Sequence, residues 1–299
     1  MNELARDQLP LRKRGTLEIF DVSLKLFKRY FVPIIVWSLI SGLVGLAGMV
    51  IPGAGLVSFV VTPFLLGAVG CCLAAAVHGR DVTIGDCWNF SKKRYGSILL
   101  VYFLSSLLAI IFALALIFVF VLLGLGGAYV FSRQLISSTA GSISIAVLII
   151  VAGLFTSVFF ACLFAWMGMV PLALCLEGDG KDNVRFLRRT YNLMSGHWWR
   201  IFGLVSLVGI AILGLAVILM GMASVIIGIG TLKEITSGHI SPESVTKIIA
   251  GYVGSFSIIS ILWAPFYYLA LGVQYLDLRV RKEALDLEWA AQEKPSELA

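Results

Sequence analysis

Most of the chemical potential of this sequence lies in arginine and lysine. Twenty of its 23 Lys and Arg residues fall in four stretches. The first holds Arg6, Arg12, Lys13, Arg14, Lys25, Lys28 and Arg29, and the second Arg80, Lys92, Lys93 and Arg94. The third holds Lys181, Arg185, Arg188, Arg189 and Arg200, and the last Arg279, Arg281, Lys282 and Lys294. Clustered guanidinium and ammonium groups recognise phosphate and carboxylate, guanidinium in a bidentate fork. The last stretch also carries two acid–base pairs at helical spacing, Asp277 with Arg281 and Arg279 with Glu283. As exposed pairs they would contribute only a few tenths of a kcal/mol.

Other chemistry is poorly provided for. His78, His197 and His239 do not cluster, and no HExxH or HxxEH pattern occurs. Cys71, Cys72, Cys87, Cys162 and Cys175 lack CxxC or metal-ligand spacing and read as small buried hydrophobes with free thiols. No Ser/His/Asp nucleophile arrangement can be assembled by spacing. The expectation is therefore no catalytic residue, no metal and no cofactor.

The elements that position the basic stretches are apolar. Hydrophobic residues make up 59% of the 299 residues and charged residues only 13%, against about 25% charged in soluble domains. Six apolar runs, 31–51, 56–77, 97–123, 145–175, 200–229 and 246–275, each exceed the about 20 residues needed to cross a membrane as a helix. The first run lies too far along the chain and is too long for a signal peptide, so it reads as an uncleaved anchor. Beyond the four basic stretches only Arg133, Lys233 and Lys247 remain. The positive-inside rule then places both termini and the segments after the second and fourth spans in the cytoplasm. The expected location is the cytoplasmic membrane.

The middle of every span lacks Asp, Glu, Lys, Arg and His, the residues that serve as relays in ion-coupled transporters and pumps.

Each of the first three basic stretches also carries an apolar stripe. Leu17, Phe20, Leu24, Phe27 and Phe31 form one; Val184, Leu187, Tyr191, Met194 and Trp198 another; Ile84, Trp88 and Tyr95 a weaker third. Thr83 with Asp86 would make a variant capping box ahead of the third. Such helices lie in the membrane interface or pack on the protein's own loops. Asp21, Lys28, Arg29 and Tyr30 recur 65 residues on as Asp86, Lys93, Arg94 and Tyr95. The even spans each carry a proline with glycine seven residues later: Pro63 and Gly70, Pro171 and Gly178, Pro265 and Gly272.

These patterns predict an all-α polytopic membrane protein. It is a single membrane domain over 1–299 with pseudo-repeats 16–79, 80–178 and 179–282, each an amphipathic interfacial helix plus a helical pair, and a polar cytoplasmic tail at 283–299. Pro63, Pro171 and Pro265 would kink their helices, and three bent helices could frame a cavity. Gly214, Gly221 and Gly228, and Gly42, Gly45 and Gly48, predict close helix packing, within the chain or in a homodimer. Gly124, Gly126 and Gly127 read as a turn at a span end.

The closing segment QYLDLRVRKEALDLE resembles the end of the glycerophosphoryl diester phosphodiesterase membrane-domain family. MVPLALCLEGDGKDNVRFLRRTYNLMSGHWWRIFGL is similar to that family's central signature, and GTLEIFDVSLKLFKRYF fits its opening. The resemblance covers nearly the whole chain and implies a stand-alone prokaryotic member. The phosphodiesterase activity of that family belongs to a separate barrel domain fused to some members, so the resemblance implies no catalytic residue.

The leading expectation is a non-enzymatic membrane protein that organises or handles lipids or envelope partners. Its candidate contacts to anionic headgroups are Lys28, Arg29, Lys93, Arg94, Arg188, Arg189, Arg279 and Arg281. The same charges would also anchor helix ends under the positive-inside rule alone. The alternative is a permease for an amphipathic or lipid-like substrate. Expected partners are membrane lipids, anionic at the cytoplasmic face, with a homo-oligomer or membrane-protein partner also compatible; nucleic acid is not expected.

Overall fold

A computed structural model describes residue 9 and residues 12–51, 54–134, 139–178, 183–237 and 242–284. Among them are eight helices and no strand: α1 (Thr16–Arg29), α2 (Phe31–Val50), α3 (Ala54–Val77), α4 (Ile84–Gln134), α5 (Thr139–Glu177), α6 (Asn183–Met194), α7 (Trp198–Ser237) and α8 (Pro242–Glu283). In hydrocarbon a backbone amide has no water to bond, so long apolar runs fold as helices. Among the described residues, five helices carry a stretch long and apolar enough to span a membrane. The bent pair of α1 and α2, at 89° to each other, makes a sixth if taken as one span. The protein is an all-α membrane protein. The tail expected at 283–299 lies outside the described residues beyond Ala284.

Two short segments form separate helices and one does not. α1 ends at Tyr30, whose backbone (φ −102°, ψ 27°) leaves the helix before α2 begins. α6 ends at Met194, two residues before Gly196, which takes φ +84°, a conformation that favours glycine. The middle segment instead runs unbroken into the third span as the 51-residue α4. Its start carries the expected capping box: Thr83 Oγ1 accepts from the Asp86 amide at 3.2 Å, and the Thr83 amide donates to Asp86 Oδ2 at 3.0 Å.

Gly124, Gly126 and Gly127 correct the sequence reading, because they lie inside α4 and form no turn. Glycine costs a helix about 1 kcal/mol, less than an unpaired amide in lipid. Helix likewise continues through most of the expected outer loops. At about 1.5 Å per residue, the 39 to 51 residues of α4, α5, α7 and α8 reach about twice the ~30 Å hydrocarbon thickness.

Pro63, Pro171 and Pro265 sit inside α3, α5 and α8, and all three are buried. The half of each helix that follows its proline forms the core. Leu66, Val69 and Leu73 of α3, Leu172 and Ala173 of α5, and Leu269 and Val273 of α8 are wholly buried, and the three helices touch pairwise. Close approach depends on the glycines after the prolines. A Cβ at Gly70 would stand 2.4 Å from Cys175 Cβ, and one at Gly272 would stand 2.1 Å from Leu73 Cδ1. The centre at this end is a packed hub. A serine-lined cavity of about 210 Å3 lies between α2, α3 and α8, and Pro171 does not line it.

The amphipathic segments wrap the hub as a collar. The first turns of α4 lie on α3, where Tyr95 donates to the Val60 carbonyl at 2.9 Å and Trp37, Phe64 and Trp88 stack. α1 lies on α8, with Phe20 and Phe27 edge-on to Phe266 at 5.3 and 6.0 Å, and α6 packs on α5. The apolar stripe expected on α1 splits in two. Phe20 and Phe27 pack inward with Ile19 and Leu26, while Leu17 (73% exposed), Leu24 and Phe31 face outward.

Glycine packing is realised at Gly42, where a Cβ would stand 2.4 Å from Ile261 Cγ1. Among the described atoms nothing lies within 4 Å of a Cβ at Gly214 or Gly221. Among the described residues the packing expected inside the chain is therefore not found at Gly214 or Gly221, and Gly228 lies outside the described side chains. α7 buries only 17% of its apolar stretch, against 56% for α3.

Candidate functional site

Two carboxylates organise the basic end of the hub. Asp277, 0% exposed, accepts from the Arg14 backbone amide at 2.6 Å, from Arg281 Nε at 2.9 Å and pairs with Arg200 Nη2 at 3.0 Å. Arg281 Nη2 also donates to the Arg14 carbonyl at 2.8 Å, as does Arg200. The residues before α1, the start of α7 and the end of α8 thus meet at one acid. Burial pushes the Arg14 guanidinium pKa down, with Glu18 and Asp277 opposing it.

Glu177, 11% exposed, closes the second node. It pairs with Arg189 Nε at 3.0 Å and Arg279 Nε at 2.9 Å and accepts from the Tyr275 hydroxyl. Glu283 joins the same two arginines from the outer side, at 2.8 and 2.9 Å. Burial works against the charged form of Arg189, but Glu177, Tyr275 and Glu283 outweigh it and hold its pKa above the ordinary value. Lys282 Nζ donates to the carbonyls of Asn192 and Ser195 at 2.5 and 2.6 Å, satisfying the end of α6.

The eight candidate headgroup cations therefore separate. Arg189, Arg279 and Arg281 are bound into this lattice. Arg94 reaches inward to the Cys175 carbonyl at 2.6 Å and lies over the Phe90 ring. Arg29 pairs with Asp81 at 3.0 Å. Lys28, Lys93 and Arg188 are exposed, and none has a carboxylate partner among the described residues. The pair of Asp277 with Arg281 corrects the expectation of an exposed contact: its acid is fully buried and shared by three groups. Arg14 and Arg200 are lattice members that spacing did not reveal, because Arg14 lies 263 residues from the acid it caps. Glu177 lies within the stretch MVPLALCLEGDGKDNV, where spacing alone gives it no partner.

Two recesses flank α6. On one side a basin of about 700 Å3 is lined by Arg185, Arg188, Arg189, Asn192, Lys282 and Glu283. On the other an apolar groove of about 680 Å3 runs between α4, α5 and α6, with Phe112, Phe155, Phe159 and Trp166 in its walls and Arg188, Tyr191 and Trp198 at its mouth. The stripe expected on α6 is divided accordingly. Met194 is buried, beside Phe186 and Leu193, whereas Leu187, Tyr191 and Trp198 line the groove, and the Val184 side chain lies outside the described residues. Among the described residues no group of three or more His, Cys, Asp or Glu could hold a metal ion, and the five cysteines are free thiols.

No curated protein and no solved structure matches this chain. The model of one family, described as a domain of unknown function (DUF7847), matches residues 26–268, from the last turn of α1 to the middle of α8, which takes in α2 to α7 and the walls of the groove. The chain is a member of the DUF7847 family.

Proposed function

We propose that this is a non-enzymatic integral protein of a prokaryotic cytoplasmic membrane that gathers or organises anionic lipids beneath its collar. The observation that carries this reading is the division of labour among the cations. The carboxylates Glu177, Asp277 and Glu283 hold the inward arginines, while Lys28, Lys92, Lys93 and Arg188 remain exposed around the collar. A basic residue near an anionic surface contributes about 1 kcal/mol. The outward flank of α1 (Leu17 and Leu24), with Phe31 at the start of α2, supplies apolar surface for the lipid boundary. In this reading both termini lie in the cytoplasm, and α1–α3, α4–α5 and α6–α8 are three pseudo-repeats. Kinship with the glycerophosphoryl diester phosphodiesterase membrane domains belongs to the proposal and rests on the quoted motifs alone.

A permease for an amphipathic substrate has the serine-lined cavity in its favour, lined by Ser38, Ser41, Ser58, Ser257 and Ser260. Its about 210 Å3 falls below the roughly 300–1,000 Å3 of pockets for drug-sized ligands, and the hub is packed where a conduit would have to pass.

The test is the lipid that accompanies the purified protein. K28Q/K92Q/K93Q should retain markedly less anionic lipid than the native protein, with zwitterionic lipid unchanged. Equal anionic lipid on both would overturn the reading.

A further inference from the structure

Arg188 lines both recesses beside α6, the basic basin and the apolar groove. That juxtaposition matches an amphiphile with a negative head and a hydrocarbon chain. We propose that α6 carries a discrete single-lipid site, in which one chain of an anionic phospholipid lies along α5 from Trp166 to Phe155 and its phosphate is held by Arg188 at the edge of the basin. The inference rests on the lipid-handling reading and sharpens it from a surface to a site.

Dimensions, chemistry and charge agree. Trp166 and Phe155 are eleven residues apart on one helix, about 16 Å at ~1.5 Å per residue. That is close to half the ~30 Å hydrocarbon thickness, the depth of a chain from one leaflet. Phenylalanine, leucine and valine dominate the walls, and below the mouth the polar side-chain atoms are the Cys162 thiol and the Trp166 indole nitrogen. At the mouth Tyr191 and Trp198 stand 6.0 Å apart between ring centroids, the residue types that settle at headgroup level.

The cation there is available. Arg189 is taken by Glu177 and Glu283 and Lys282 by the carbonyls of α6, whereas Arg188 is exposed and has no carboxylate partner among the described residues. Helical spacing sends Leu187 and Tyr191 into the groove and Arg185 and Arg189 into the basin. Arg188 stands between them, where head meets chain.

The test uses the full chain, delipidated in mild detergent and titrated with phosphatidylglycerol while native mass spectrometry counts adducts. One adduct should saturate before any others appear, and phosphatidylcholine should bind more weakly. R188Q, which removes the charged fork, should weaken that first adduct about tenfold, with R188K partly restoring it. L163W, which fills the groove from its α5 wall, should weaken it similarly while R188Q and L163W keep the native melting temperature. Inorganic phosphate at the same concentration should not compete; displacement by it would mean a phosphate site without a chain and would overturn the proposal. An unchanged first adduct in both variants would overturn it too, and would mean annular lipid only. If K28Q/K92Q/K93Q still loses anionic lipid in that case, the site fails and the broader reading survives; if neither responds, both fail.

Discussion

Asp277 shows how a contact of modest value on the surface becomes a structural necessity inside. With no exposed surface it is approached by the Arg14 amide and by the guanidinium groups of Arg200 and Arg281. Removing one partner of a buried ion pair leaves the others uncompensated and costs about 3–5 kcal/mol. D277N should therefore lower the melting temperature in detergent strongly. E283Q, at a carboxylate 32% exposed, should cost no more than about 1 kcal/mol. Equal shifts for the two variants would contradict the lattice. The Asp277–Arg281 pair was legible from its four-residue spacing, but its burial was not, because spacing describes one helix and says nothing of what covers it. Arg14 and Arg200 come from distant parts of the chain, and only the fold brings them to the acid.

Among the elements, the prolines and their following glycines were the most informative pattern in the sequence. They mark the three helices that form the hub and two of its close contacts, Gly70 on Cys175 and Gly272 on Leu73. Gly178, third in the series, instead ends α5, its amide donating to the Leu174 carbonyl at 2.8 Å. The seven-residue glycine repeat of α7 looked equally suggestive and has no neighbour at Gly214 or Gly221 among the described residues. Periodicity shows that a face is smooth, while packing requires a second helix against it. G70V should accordingly destabilise the protein by at least the 1–3 kcal/mol typical of overpacking, and G221V should leave the melting temperature nearly unchanged. Similar losses in both would show that α7 packs more closely than described. The continuity of α4 was missed because its amphipathic start and its apolar run have different compositions, yet between them no residue breaks the helix.

Over the whole molecule, apolar run length established the class, and loop charge located the end where the polar chemistry sits. Helix ends were less legible, because short polar interruptions between apolar runs do not stop a helix whose amides remain paired. The central claim is that the exposed cations of the collar draw anionic lipid to one face of the membrane. It is tested most directly by reconstituting the protein in mixed bilayers and measuring the association of spin-labelled phosphatidylglycerol relative to phosphatidylcholine across ionic strength. Exposed charges are screened within a Debye length of about 10 Å at 0.1 M salt. The account predicts a clear preference for phosphatidylglycerol at low salt that declines as salt rises; equal association of the two lipids at every ionic strength would contradict it.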